Sequence, residues 1–219
     1  RLFKDTLYTA STKFSTNDEI NRNRAENIRL GAQKLNGKIL GPGEIFSFNE
    51  AVGPRTVEAG YKTAHSYIGG KVVDDIGGGI CQVSSTLYNA VLYSDLEVIE
   101  RRNHMFTVGY VPKGLDATVS YGQLDFKFRN STNWTIKLEA WVTGNNELFF
   151  SIKGTNESPG KVVEIKPQIV KVIDYNTIYI DDPNLPQGET KVKQNGITGY
   201  VVDTYKIVKQ NGKIVSQNK

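Results

Sequence analysis

The chain has one cysteine, Cys81, and it stands directly behind three glycines in Gly77-Gly78-Gly79-Ile80-Cys81-Gln82-Val83-Ser84-Ser85. After it, Ile80, Val83, Leu87, Ala90 and Val91 recur at helical spacing, so a helix with one apolar face begins at the cysteine. Each glycine would cost about 1 kcal/mol inside a helix. The run is therefore read as a tight turn that lets backbone or ligand come close. Cys81 then falls in the first helical turn, where free N–H groups and the helix dipole favour a thiolate. Such a sulfur is a nucleophile if a base lies within reach, and backbone N–H groups at Cys81 and Gln82 would hold an oxyanion. The contrasting reading is a small buried hydrophobe with no chemistry.

The chain holds two histidines, His65 and His104. His104 follows Arg101-Arg102-Asn103 at the end of an alternating strand, Leu96 to Glu100. A helix of roughly 15 residues spans roughly 22 Å and must be retraced by the strand after it. That return brings His104 back towards Cys81 and makes it the preferred base, with His65 as the alternative base. Asp116 is expected to orient the imidazole, or else to cap a turn. Gly78, Gly79, Gln82, Ser84 and Ser85 are expected to line a substrate site, although serines in a first helical turn also serve the backbone. No histidine pair has metal-ligand spacing, Asp74-Asp75 alone is weak, and the glycine run lacks a Walker lysine. No metal and no cofactor is expected.

The elements that must position these residues are legible in outline. A capping box, Thr16 to Glu19, opens a helix that Asn36-Gly37 stops, with Ala25, Ile28, Ala32 and Leu35 inward and Arg22, Arg24 and Arg29 towards solvent. Gly41-Pro42-Gly43 turns into a short strand, and Asn49 to Tyr61 reads as loop. Strands over Tyr61–Ile68 and Lys71–Val73, joined at Gly69-Gly70, feed the glycine run. From Leu124 the pattern is β, with a hairpin at Gly144-Asn145-Asn146. The polar stretch 154–160 marks a boundary, and 161–219 alternates throughout. The fold class is α+β: a cysteine-bearing helix packed on antiparallel strands over 1–157, then a small all-β module over 158–219.

The 219 residues carry a net charge of +4 with scattered lysines, which argues against nucleic acid and suits an anionic polymer such as a cell wall. A lone cysteine excludes an internal disulfide. No apolar run approaches the roughly 20 residues of a membrane span. The chain begins at Arg1, so a processed piece is expected, with any signal or membrane anchor upstream.

Four pieces together resemble the VanW family of Gram-positive cell-surface proteins. They are the first helix with Gly41-Pro42-Gly43-Glu44 and Phe46-Ser47-Phe48-Asn49; Gly77 to Ala90; Glu100 to His104 with Tyr110-Val111-Pro112; and Asp116 to Val119 with Asp125 and Phe128-Arg129-Asn130. Some members are described as L,D-transpeptidases, which cross-link peptidoglycan through a cysteine thioester. The resemblance therefore implies peptidoglycan stem peptides as substrate and a Cys81 thioester. The activity was first known with a Ser-x-Gly-Cys motif, from which Gly79-Ile80-Cys81-Gln82 departs. Gly188-Glu189, Gly196, Gly199 and Gly212-Lys213 resemble a G-five domain, which implies wall-glycan binding. An extracellular place on the surface or wall of a Gram-positive bacterium follows from the resemblance. The alternative is a non-catalytic wall-binding protein.

Overall fold

A computed structural model describes residues 2–68 and 71–219, so the Gly69-Gly70 turn lies outside the described residues. The protein is a mix of helices and antiparallel sheets, followed by a module of strands. The largest sheet runs β1 (Asp5–Lys13), β9 (Glu147–Gly154), β8 (Ile136–Val142) and β2 (Ile39–Leu40) in that order. Alternation drives it: Ile136, Leu138 and Ala140 on β8 and Leu148, Phe150 and Ile152 on β9 are buried on one face. The lead-in before the first helix is therefore not an accessory, since β1 pairs along the whole of β9.

Two helices cover that face. Helix α1 (Glu19–Leu35) buries Ala25, Ile28, Ala32 and Leu35, as the spacing dictates, and stops at Asn36. Its N-cap is Asp18, which accepts the Asn21 N–H, rather than Thr16, whose hydroxyl accepts from the Asn146 amide instead. Helix α3 (Ile80–Tyr93) packs on β1 and β9 and against α1. It is buried nearly all round, including Gln82, Ser84, Ser85, Thr86 and Asn89. Each of these polar groups is bonded, as burial requires.

Smaller pieces complete the domain. Strands β3 (Ile45–Ser47), β7 (Lys127–Arg129) and β6 (Glu97–Glu100) form a second sheet. The stretch read as loop opens with a short helix, α2 (Phe48–Val52), capped by Ser47, whose period was hidden by its five-residue length. Strands β4 (Thr63–Ile68) and β5 (Lys71–Ile76) make a hairpin leading into the glycines. Beyond Gly154, β10 (Lys161–Ile173), β11 (Gly199–Gln210) and β12 (Lys213–Asn218) form a three-stranded antiparallel sheet. Residues 174–198 carry no helix or strand, although alternation suggested β throughout. No helix among the described residues is long and apolar enough to cross a membrane.

Candidate active site

The glycine run exists for the chain itself. Gly77 and Gly79 have φ of 88° and 105°, which an L side chain rarely adopts. Gly78 lies so close to β4 that a Cβ would stand 2.7 Å from the carbonyl oxygens of Ala64 and His65. Gly79 abuts Arg24 and Ile28 of α1. Of the two readings the sequence left open, close approach within the chain, with positive φ at Gly77 and Gly79, accounts for all three glycines. Gly78 and Gly79, expected to line a substrate site, are instead packed against α1 and the hairpin. The run fixes where α3 starts and thus where Cys81 points.

A strand-free segment, 115–119, lies along α3 because the helix bonds it with side chains. Ser84 donates to Ala117 O at 2.7 Å, Ser85 accepts the Ala117 N–H at 2.9 Å, and Asn89 donates to Leu115 O at 2.8 Å. A second segment is tied to the first: Arg101 Nε donates to Asp116 O at 2.7 Å and Thr118 N–H to Arg102 O at 2.8 Å. These bonds carry Asp116 and His104 to the first turn of α3.

There His104 Nδ1 lies 2.6 Å from Asp116 Oδ2, which also accepts the His104 backbone N–H at 2.6 Å. The other carboxylate oxygen takes Arg101 Nη2 at 3.3 Å. The imidazole is close enough to the Cys81 thiol to act on its charge. With Asp116 on Nδ1, the other ring nitrogen is the one that a thiol proton can reach. Thr118 Oγ1 and Val119 O stand 3.6 Å and 3.5 Å from Cys81 Sγ. Tyr110 meets the imidazole edge-on with ring centres 6.5 Å apart, and the His104 side chain is only 7% exposed. Cys81 itself is partly exposed.

The electrostatics follow from this geometry. Burial opposes a charged thiolate, but the neighbouring His104 imidazole outweighs it, so the Cys81 thiol is held below its ordinary value. Burial alone would lower the His104 pKa, yet its bond to Asp116 and the neighbouring Cys81 raise it to about 9. Asp116 is buried too, and its bonds to His104 keep it below the usual carboxylate range. Opposite shifts on sulfur and imidazole are those of a thiolate–imidazolium pair. At the helix start the Gln82 N–H is donated to Gly79 O at 3.0 Å, while the Cys81 N–H makes no hydrogen bond among the described residues. One of the two expected oxyanion donors is thus occupied.

The remaining candidates are placed elsewhere or used otherwise. His65 is exposed on the β4–β5 hairpin, with Nδ1 2.7 Å from Asp74. Gln82, expected to touch substrate, is 1% exposed and donates to Thr12 and Lys13 O while accepting from Arg24 at 2.6 Å. Ser84 and Ser85 are fully buried and hold the 115–119 segment. All three position the site from behind. Arg24, expected in solvent, stacks over Tyr110 at 5.9 Å instead. The sequence reading quoted Arg101, Tyr110 and Thr118 only within longer stretches, and placed neither them nor Arg55 beside Cys81. Among the described residues no group of three His, Cys, Asp or Glu side chains could hold a metal ion. A cavity of about 440 Å³ opens between Tyr8, Tyr93, Asp95, Glu157 and Val162, at the other end of α3 from the cysteine.

Residues 23–152 match the family described as VanW-like protein, and residues 164–219 match the G5 domain. The chain is 40% identical over 156 residues to the uncharacterized protein YoaR of Bacillus subtilis, covering 70% of this chain and 52% of that protein. It is 33% identical over 164 residues to the vancomycin B-type resistance protein VanW of Enterococcus faecalis, covering 73% of this chain and 58% of that protein. The chain thus spans little more than half the length of these relatives. No solved structure matches it. The family match begins inside α1, yet β1 before it completes the main sheet, and the G5 match falls on the separate β10–β12 sheet. The chain belongs to the VanW-like family and carries a G5 domain behind its VanW domain.

Proposed function

We propose that the protein is a cell-wall-associated cysteine acyltransferase that acts on peptidoglycan stem peptides as an L,D-transpeptidase. The observation that carries this reading is the His104–Asp116 pair, 2.6 Å apart and close enough to Cys81 to act on its thiol. Membership of a family that includes a vancomycin-resistance protein supports the wall as the setting. A G5 domain beside it supports retention on wall glycan.

The reaction follows from the groups present. The Cys81 thiolate attacks the carbonyl carbon of the third stem residue, and the Cys81 N–H bonds the resulting oxyanion. The tetrahedral adduct collapses, the C–N bond breaks, and the departing amine takes the proton from the His104 imidazolium. A thioester and a neutral imidazole remain. His104 then accepts a proton from the incoming amine, or from water, as that nucleophile attacks the thioester. Release of the thiolate beside the protonated imidazole restores the pair. Asp116 stays ionised and keeps the ring in one orientation.

Incubating the protein with purified stem peptides and analysing products by mass spectrometry tests the reading. Expected is loss of the fourth residue with formation of cross-linked or trimmed peptide. Unchanged peptides with the wild-type chain, under conditions where it binds isolated wall, would favour a non-catalytic wall-binding protein. The position of the 440 Å³ cavity, away from Cys81, is the one observation that favours that second reading.

A further inference from the structure

Arg55 is the charged side chain whose arrangement the catalytic groups leave unexplained. Its stem lies against Gly77, where a Cβ would stand 2.9 Å from Arg55 Cβ, so the residue sits at the turn that launches α3. Its guanidinium lies between two aromatic rings, 5.7 Å from the centre of Phe48 and 5.6 Å from that of Tyr121. Both terminal nitrogens, Nη1 and Nη2, are buried and have no hydrogen-bond partner. Tyr61, beside the same glycine, has a buried hydroxyl without a partner as well. An arginine offers a fork of donors that fits a carboxylate, and leaving that fork unmet in a low-dielectric site is costly.

The protein's own acids do not meet it. Asp125 is near enough to act on Arg55 through space, but its oxygens take Ser47 Oγ at 2.6 Å and the N–H groups of Asn49 and Phe126. Asp116 is committed to His104 and Arg101. Burial without a partner pulls the guanidinium below its ordinary value, and the Cys81 charge acts on it in the opposite direction. The ring that covers it is mounted next to the sulfur: Val119 O touches Cys81 Sγ, and Tyr121, half exposed, follows two positions later in a turn closed by the Ser120–Leu124 bridge. Tyr121 is therefore the exposed side of the cover over the fork.

We propose that Arg55 is a carboxylate receptor of the Cys81 site, so that the ligand reacting at the sulfur carries a carboxylate held by the Arg55 fork. This rests on the acyltransferase reading only in requiring a reactive, accessible Cys81.

Two alkylating reagents of nearly equal size test it on the intact chain. Iodoacetate carries a carboxylate and iodoacetamide does not, and both alkylate the same thiolate. In the wild-type protein the iodoacetate rate saturates with concentration and exceeds the iodoacetamide rate. Arg55→Met keeps the stem against Gly77 and removes the fork. It is expected to lower the iodoacetate rate by about tenfold or more and to leave iodoacetamide within about twofold. N-acetylglycine protects wild-type Cys81 from iodoacetate while N-acetylglycinamide does not, and this arm needs no variant to fold. An iodoacetate to iodoacetamide ratio unchanged in a folded Arg55→Met protein, or equal protection by both glycine derivatives, overturns the proposal. Failure of both reagents to label Cys81 in the folded protein would instead overturn the acyltransferase reading, and the receptor with it.

Discussion

Cys81 and His104 stabilise each other's charged form, and Asp116 anchors the pair, so the clearest predictions concern titration. The ordinary thiol pKa is 9.0 and that of Cys81 lies below it, while the imidazole rises from 6.5 to about 9. The alkylation rate of Cys81 by iodoacetamide should therefore show its inflection below pH 9, against the behaviour of an inert buried thiol that reacts only after denaturation. Asp116→Asn removes the charge that holds the imidazolium. The His104 pKa then falls, the thiol rises, and alkylation at neutral pH slows by about tenfold or more. The same shifts bear on stability. The raised His104 pKa contributes stability that is complete below pH 6.5 and is lost as pH rises through about 9. The lowered Asp116 pKa contributes stability present above 3.8 and lost as pH falls through its folded value. Amide-exchange protection across 101–118, corrected for the intrinsic pH dependence of exchange, should be greatest between these limits, and loss of that pH dependence in His104→Ala would tie it to the pair.

At the scale of elements, α3 is the part on which the site is built, and its two ends of support differ in how they can be read. Its apolar face, the glycine turn and the strand that returns to His104 are periodic features, which is why the cysteine and the preferred histidine were legible together. The partnership with Asp116 was legible only as proximity in sequence. What holds it is a set of side-chain bonds from Ser84, Ser85 and Asn89 to a segment without regular structure, and no periodicity marks such a segment. The same physics explains the serines: they look like site residues because they flank the cysteine, and are buried because a strand-free backbone needs partners. Arg55 was hidden in a stretch with loop character, and Asp18 rather than Thr16 caps α1 because the Thr16 hydroxyl stands before the helix start and is taken by the Asn146 amide. The glycine run gives the test at this scale. Gly78→Ala places a methyl 2.7 Å from two backbone oxygens that cannot turn aside. It should destabilise the domain by about 1–3 kcal/mol or more and displace α3, measured as a lower Tm and slower Cys81 alkylation. Gly109→Ala, where a Cβ meets open space, is the matched control.

At the scale of the molecule, the VanW domain and the G5 sheet are joined more closely than a linker at 154–160 suggests. Asp95, at the C-terminal end of α3, pairs with Lys161 at 2.9 Å and Lys206 at 2.6 Å. Thr204 Oγ1 bonds Gly114 O at 3.4 Å, and Thr107 Oγ1 bonds Thr198 O at 3.2 Å, so the sheet braces the segment that carries His104 and Asp116. A chain ending at Thr155 keeps every strand of the main sheet and should fold, yet its Cys81 should alkylate more slowly than in the full chain. Equal rates would show that the bracing does not reach the site. The central claim, a thioester on Cys81, is tested most directly by intact-protein mass after mixing the full chain with a donor stem peptide in the absence of acceptor amine. The account predicts a mass gain equal to the donor acyl group, mapped to Cys81, discharged when an amine is added, and absent from Cys81→Ala and from reagent-blocked protein. Stem-peptide turnover that continues in a folded Cys81→Ala protein, with no adduct on the wild type, would contradict it.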